Sequence, residues 1–448
     1  MPKRNLVLLC LIAAACAIAW AARRSVGQAG LYGEVTGHIR RSALDPVDGD
    51  ALFRAAMDGI VSRLEGHAEI VPLDEVGASG GESPARVAGV GLELAIDAAE
   101  DVPVVSTPLV GSPAWLAGIA TGDRIVSVDG VRTTGMRLKD VVAQLRGPAG
   151  TRVVLGIVPP AGEADGTRDE LGDLVASRTA TLERATLEAE TVLGDRRRAD
   201  GSWDWFVEGE DGVALLRVVR FDGTTAGDID RACAEIAAAG AVRGLILDLR
   251  GSDAGPVNAA VDCTDRFLDD GVLVSTRRRA PSPAGIESRR ALPGSSLPGV
   301  PIVVLVDGWT AGGAEIMAAC LQDHGRAVVV GSRTFGRGTV QSVVPLSDGR
   351  MALRLTVSEY LRPSGSPIHR HAGATDAEAW GVAPDAGFEM APTGERLEAM
   401  RLWRAARDAV PRHAAAEGIF AAESAAALPR RIDPALGRAL SAIDAVAR

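Results

Sequence analysis

Residues Trp309 to Gln341 read WTAGGAEIMAACLQDHGRAVVVGSRTFGRGTVQ, and the reading of this stretch decides the fold. A helix-like segment surrounds Cys320 and ends near His324. An apolar run, GRAVVVG, follows, and then a glycine-flanked FGRGTVQ. Upstream, PIVVLVDG from Pro301 reads as a buried strand. GLILDLRGSDAG from Gly244 reads as a buried strand running into a glycine loop. GVALLRVVRFDGTTAGDIDRACAEI from Gly212 reads as a strand, a loop and a helix. Short apolar runs alternating with helical stretches predict an α/β domain, here over residues 179–390.

The chain has 448 residues, room for about two or three domains. Its net charge is −10, and its basic runs are short clusters such as Arg196 to Arg198. Nucleic-acid partners need a basic face, so they are not expected. Lysine is nearly absent: Lys3 and Lys139 are the only two.

At the N-terminus, Lys3 and Arg4 precede an apolar run from Leu6 to Ala22, followed by Arg23 and Arg24. As a helix this run reaches about 25 Å, slightly short of a roughly 30 Å hydrocarbon core. Ala19-Trp20-Ala21 fits a small-x-small cleavage site. Residues 1–24 are therefore expected to be a signal peptide or membrane anchor, placing the body of the protein in a bacterial cell envelope or periplasm. Cys233, Cys263 and Cys320 are an odd number and predict buried thiols rather than a disulfide framework.

Residues 30–76 read as mostly helical, with Asp50 a candidate N-cap before ALFRAAMDGIVSRL. Leu52, Ala56, Ile60 and Leu64 recur every four residues there. GASGGESPA follows as a linker. Residues 88–160 form a second unit, an acidic linker spans about 161–177, and 391–448 is an Ala- and Arg-rich helical tail.

The second unit resembles a PDZ domain. The resemblance rests on GVGL (Gly89, Val90, Gly91, Leu92), on GSPAWLAGIATGDRIVSVDG from Gly111, and on the amphipathic RLKDVVAQLRG from Arg137. Glycines there let loop N–H groups turn toward a peptide carboxylate, beside a strand edge that accepts an extended chain.

The α/β unit resembles the catalytic domain of C-terminal processing peptidases, also called tail-specific proteases. The blocks already quoted match in order, and YLRPSGSPI from Tyr360 and GVAPD from Gly381 complete them. The resemblance implies a serine nucleophile in a small-residue motif ending in Glu-Ile. It also implies a lysine base 25 residues later and a glutamine four beyond. A buried lysine can lose its proton and then take the hydroxyl's. Anchored on Glu315-Ile316 and Gln341, the serine position is Gly312 and the lysine position is Arg337. Glycine carries no nucleophile, and a guanidinium stays protonated in proteins. Since Lys139 is the last lysine, the domain holds no substitute.

By the same resemblance, oxyanion N–H groups come from Gly313 and from the loop ending at Gly255, where Asp253 adds a charge that opposes an oxyanion. An Asp253–Arg337 ion pair is one way to fill such a site. Thr310 is the alternative nucleophile, with Ser332 and Ser342 near in sequence and His324, His369 and His371 as conceivable bases. No ligand spacing supports a metal, and no cofactor is called for.

The expectation is an exported or anchored homologue that is catalytically inactive. It would bind extended peptides or protein C-termini, as an adaptor or as a regulator of an active relative. The alternatives are a serine-type endopeptidase with a relocated nucleophile and a structural envelope protein. The expected architecture is a helical N-terminal segment, a PDZ domain, an α/β peptidase core and a helical tail.

Overall fold

The computed structural model describes residues 28–45, 47–64, 68–73, 87–97, 100–109, 111–120, 122–159, 168, 174–187, 190–252, 255–278, 285–347, 349–408 and 432–446. The signal or anchor segment and Asp253 lie outside these residues. Among them, no helix is long and apolar enough to cross a membrane.

The chain divides into two compact units. One comprises residues 1–73 and 342–355, and the other 74–341 and 356–448. In the first, helices Gln28–Ser42 and Gly49–Val61 precede strand Glu69–Pro72, which runs antiparallel to residues 351–354. The strand is unexpected in a segment read as helical. The N-cap also moves: Asp48, not Asp50, caps the second helix, accepting the Asp50 N–H. The apolar stripe is not buried as its spacing predicts, for Ile60 and Leu64 are exposed and only Val61 of that helix is buried.

The second unit holds two parts. The PDZ part is a sheet in the order Leu92–Asp97, Val102–Pro108, Arg124–Val128, Arg152–Val158, Arg178–Glu183. Helix Leu138–Leu145 packs on it through Val141 and Leu145. Its last strand lies past the expected boundary at residue 160. Arg178–Glu183 pairs with Arg152–Val158 over six residues, so the chain on both sides of the acidic linker belongs to this part.

The peptidase part is built on Val192–Leu193, Val213–Val218, Gly244–Asp248, Ile302–Val306 and Ala327–Gly331, in that spatial order. The last four run parallel. Every residue of the three middle strands is buried. Such strands read as unbroken apolar runs because helices cover both faces of a parallel sheet. Helices Thr225–Ala239, Val257–Asp265 and Gly313–Asp323 contribute to one apolar cluster, with Phe221, Leu216 and Val304. The opposite face is covered by the tail: Trp403, Leu436, Leu440 and Ile443 pack on Leu215, Ile246 and Val303. Residues 391–448 are thus no appendage, for their helices Glu395–Asp408 and Pro434–Val446 complete the core. Cys233, Cys263 and Cys320 are free and buried, and burial pushes each thiol up to about 12, which leaves them unreactive.

Candidate functional site

The site is a turn between a strand and a helix. Strand Ile302–Val306 ends in Asp307, whose Oδ1 accepts the N–H groups of Gly251, Trp309 and Thr310 at 2.9–3.0 Å. The chain then turns sharply at Gly312, with φ +60° and ψ −113°. That backbone suits glycine, and a side chain there costs about 1–3 kcal/mol of strain. Helix Gly313–Asp323 begins at once, and its first nine residues are all buried.

One of those nine is Glu315, fully buried. Its Oε1 accepts the Thr334 hydroxyl, at 2.5 Å, and the Gly336 N–H, at 2.7 Å. Its Oε2 accepts the N–H groups of Gly312, at 3.0 Å, and Arg337, at 2.8 Å. One carboxylate oxygen therefore bridges the two positions that the family resemblance singled out. Burial pushes the Glu315 carboxyl above the usual carboxylate range, and the four donated hydrogen bonds oppose that rise. Thr334 accepts the Val382 N–H in turn, and Gly381 closes over it: a Cβ there would lie 2.9 Å from the Thr334 hydroxyl. This accounts for the first two residues of GVAPD, Gly381 and Val382. Thr334 was missed in the sequence. A glutamate inside an apolar helix was the available signal, because a buried carboxylate requires several donors.

Arg337 enters the cage only through its backbone. Its side chain is exposed and lies over the Phe335 ring, 5.0 Å from guanidinium carbon to centroid. Gln341 is half-buried, and its amide donates to Thr356 at 2.7 Å. Gly313 and Gly255 both abut Phe221. A Cβ on Gly255 would fall 2.3 Å from the Phe221 carbonyl oxygen, and one on Gly313 would fall 3.4 Å from its ring. The structure thus brings the two oxyanion candidates against one residue. The proposed Asp253–Arg337 pair falls outside the described residues.

The Thr310 side chain has a structural task. It is fully buried, donates to the Leu249 carbonyl at 2.9 Å and accepts the Asp307 N–H at 2.9 Å. His324 caps the far end of the eleven-residue helix, about 18 Å from Gly312 along its axis, and contacts the Val272 carbonyl. It cannot serve Thr310 as a base. His369 and His371 stack edge to face at 5.0 Å, and the His369 backbone runs against Gly338. Ser332 is half-buried, and Ser342 lies within strand Thr339–Pro345. Ser252, beside the turn, is fully buried with a hydroxyl that meets no partner among the described residues.

In the PDZ part, the Val90 carbonyl accepts the Ala114 N–H. The Gly91 carbonyl accepts the Leu109 N–H and the Ser112 hydroxyl. A trans peptide points its N–H opposite its carbonyl. The N–H groups of Gly91 and Leu92 therefore face away from the Ser112 turn. Gly91 sits at φ +78°, and a Cβ there would fall 2.2 Å from Ser112 Cβ. Strand Leu92–Asp97 begins here as the outer strand of its sheet, with helix Leu138–Leu145 close by. The Arg184 side chain caps that helix, donating to the Gln144 and Leu145 carbonyls at 2.8 and 3.2 Å.

Comparison with known proteins agrees with both parts. Residues 212–387 match peptidase family S41, and residues 104–159 match the PDZ domain. A carboxy-terminal-processing protease of Bartonella bacilliformis is 29% identical over 79% of this chain and 73% of its own length. A carboxyl-terminal-processing protease of Picosynechococcus is 31% identical over 69% of this chain and 66% of its own length. A solved photosystem II D1 C-terminal processing protease is 27% identical, with TM-score 0.43, over 81% of this chain and 92% of that one. With a PDZ domain ahead of an S41 core, this chain belongs to the family of C-terminal processing peptidases.

Proposed function

We propose that this protein is an exported or membrane-anchored C-terminal processing peptidase homologue that binds extended peptides and protein C-termini without cleaving them. The observation that carries the reading is an intact turn and carboxylate cage around two unreactive positions. Acyl transfer by the family's chemistry needs a hydroxyl at 312 and a neutral amine at 337. Gly312 supplies no nucleophile. Arg337 is exposed and, as a guanidinium, stays charged. The Thr310 hydroxyl is already committed to a carbonyl.

Binding is a separate matter. The outward N–H groups of Gly91 and Leu92 suit a terminal carboxylate, and the edge of Leu92–Asp97 suits an added strand. The protein then acts as an adaptor or as a regulator of an active relative in the bacterial envelope. Export rests on the charged and apolar pattern of residues 1–24.

Binding is tested with fluorescent peptides ending in a free acid or an amide, added to the full chain in lipid nanodiscs. Acids are expected to bind at least about tenfold tighter than amides, since the carboxylate accepts charge-assisted hydrogen bonds. Gly91→Ala is expected to remove that preference. Equal binding of acid and amide, or a preference untouched by Gly91→Ala, would overturn the binding role.

A further inference from the structure

A cavity of about 730 Å³ opens at the carboxyl ends of the parallel strands, where α/β sheets hold ligands. Its size suits a small molecule. Neither Gly312, Glu315 nor Arg337 lines it. Its walls come from the ends of strands Val213–Val218, Gly244–Asp248 and Ile302–Val306 and from the tail helices.

The charges in its wall do not cancel by pairing. Arg217 forms a two-pronged bond to Asp408 at 2.7 and 2.8 Å. Arg250 is forked between Asp248 and Asp433, with contacts of 2.7 and 2.8 Å. Asp307 is taken up by the N–H groups of its own turn and of Gly251. Every lining carboxylate is therefore engaged.

Two lining guanidiniums remain. Arg401 is exposed, and no carboxylate pairs with it among the described residues. Arg404 gives one N–H to the Asp195 carbonyl at 2.9 Å. The Asp195 carboxylate, 3.7 Å away, is held by Arg407. The Nη2 of Arg404 is buried and meets no partner among the described residues. Burial, then repulsion from Arg217, lowers Arg404 to about 10, so it is still a cation at neutral pH, and its ion-pair contact is the longer one to Asp195.

Apart from Ser332 and backbone, the rest of the lining is apolar. Trp309 is 67% exposed at this wall, and Leu397, Met400 and Trp403 stand on the tail helix. A planar guanidinium fork matches a carboxylate. Four aspartates and four arginines line the cavity, so its wall carries no net formal charge and offers Arg404 and Arg401 to one small anion rather than a broad basic face.

We infer that this cavity binds a small monocarboxylate with an apolar body, its carboxylate on Arg404 and its body against Trp309, Leu397 and Met400. The site is independent of peptide capture by the PDZ loop. Asp307 to Trp309 form part of its wall and lead directly into the Gly312 turn, so an occupant would lie against the same loop.

The test uses fluorine NMR of 4-fluorophenylacetate and its uncharged amide with the full chain in lipid nanodiscs. Neither probe has a backbone to add to a strand. The acid is expected to saturate and to bind at least about tenfold tighter than the amide. Arg404→Met should weaken the acid by about tenfold or more and leave the amide unchanged. Ala405→Trp, at an exposed lining position, should weaken both while the fold is kept, so the test stands even if the arginine variant fails to fold. Displacement of the probe by hexanoate alone would assign free carboxylic acids as the source. Displacement by N-acetyl-Ala-Leu as well would assign a peptide end. Absence of saturable acid binding, equal binding of acid and amide, or acid binding unchanged in both variants would overturn the inference.

Discussion

Glu315 and Arg337 are joined by one hydrogen bond, yet their side chains have opposite surroundings. The Glu315 carboxylate is sealed from water and holds four donors. The Arg337 guanidinium is exposed and leans on the edge-exposed ring of Phe335. The first side chain builds the site, whereas the second contributes to that architecture only its backbone N–H. The difference separates two requirements. Shape at this turn depends on groups the fold itself needs. Reactivity would depend on side chains at 312 and 337 that the fold does not need. On the proposed reading, this protein keeps the form of a reaction centre without its chemistry.

The largest expected effect probes the buried side of this contrast. Glu315→Gln replaces an acceptor of four hydrogen bonds with a group whose NH2 would face N–H donors. It should cost about 3–5 kcal/mol in denaturant unfolding. A loss below about 1 kcal/mol would break the comparison. The same residue sets a pH dependence. Its carboxyl is raised in the folded state, so the folded chain holds more protons than the unfolded one above the ordinary carboxylate pKa. Its contribution to stability therefore declines as pH rises through that window. Stability measured from pH 4 upward should carry this decline in the parent chain and lack it in Glu315→Gln.

A smaller effect is expected at the turn. Gly312→Ser places a side chain at φ +60° and should destabilise by about 1–3 kcal/mol, read as a lower denaturant midpoint. An unchanged midpoint would mean that the turn is less constrained than its backbone angles require. The smallest effect belongs to Arg337→Gln, which keeps the N–H to Glu315 and removes an exposed charge. Its stability should stay within about 0.5 kcal/mol of the parent. A large loss would place the guanidinium in the framework after all.

Much of the fold was legible because its strands are buried on both faces. Ile302–Val306 is an unbroken apolar run, and Val213–Val218 and Gly244–Asp248 are apolar but for Arg217 and Asp248 at their carboxyl ends. Arg178–Glu183 was assigned to the wrong part. RTATLE is polar and distant in sequence from its partner, and its pairing with Arg152–Val158 is a long-range event that local pattern does not record. The tail was legible as helix, but the sheet face it covers was not. Leu436, Leu440 and Ile443 carry helical spacing without naming a partner. At the site, the family resemblance brought Gly312 and Arg337 to notice. The carboxylate that joins them became visible only in three dimensions, since three of its four donors are backbone groups.

The central claim is that the chain holds peptides without cutting them. It is tested most directly by mass spectrometry of a mixed peptide pool incubated with the full chain in nanodiscs, beside a Gly312→Ser/Arg337→Lys double variant. The expected result is that the parent leaves every peptide intact over a long incubation. Cleavage by the double variant alone would show that the surrounding architecture still supports the reaction. Cleavage by the parent that follows the protein through purification, and is lost on Thr310→Ala or Ser252→Ala, would contradict the claim and assign a relocated nucleophile.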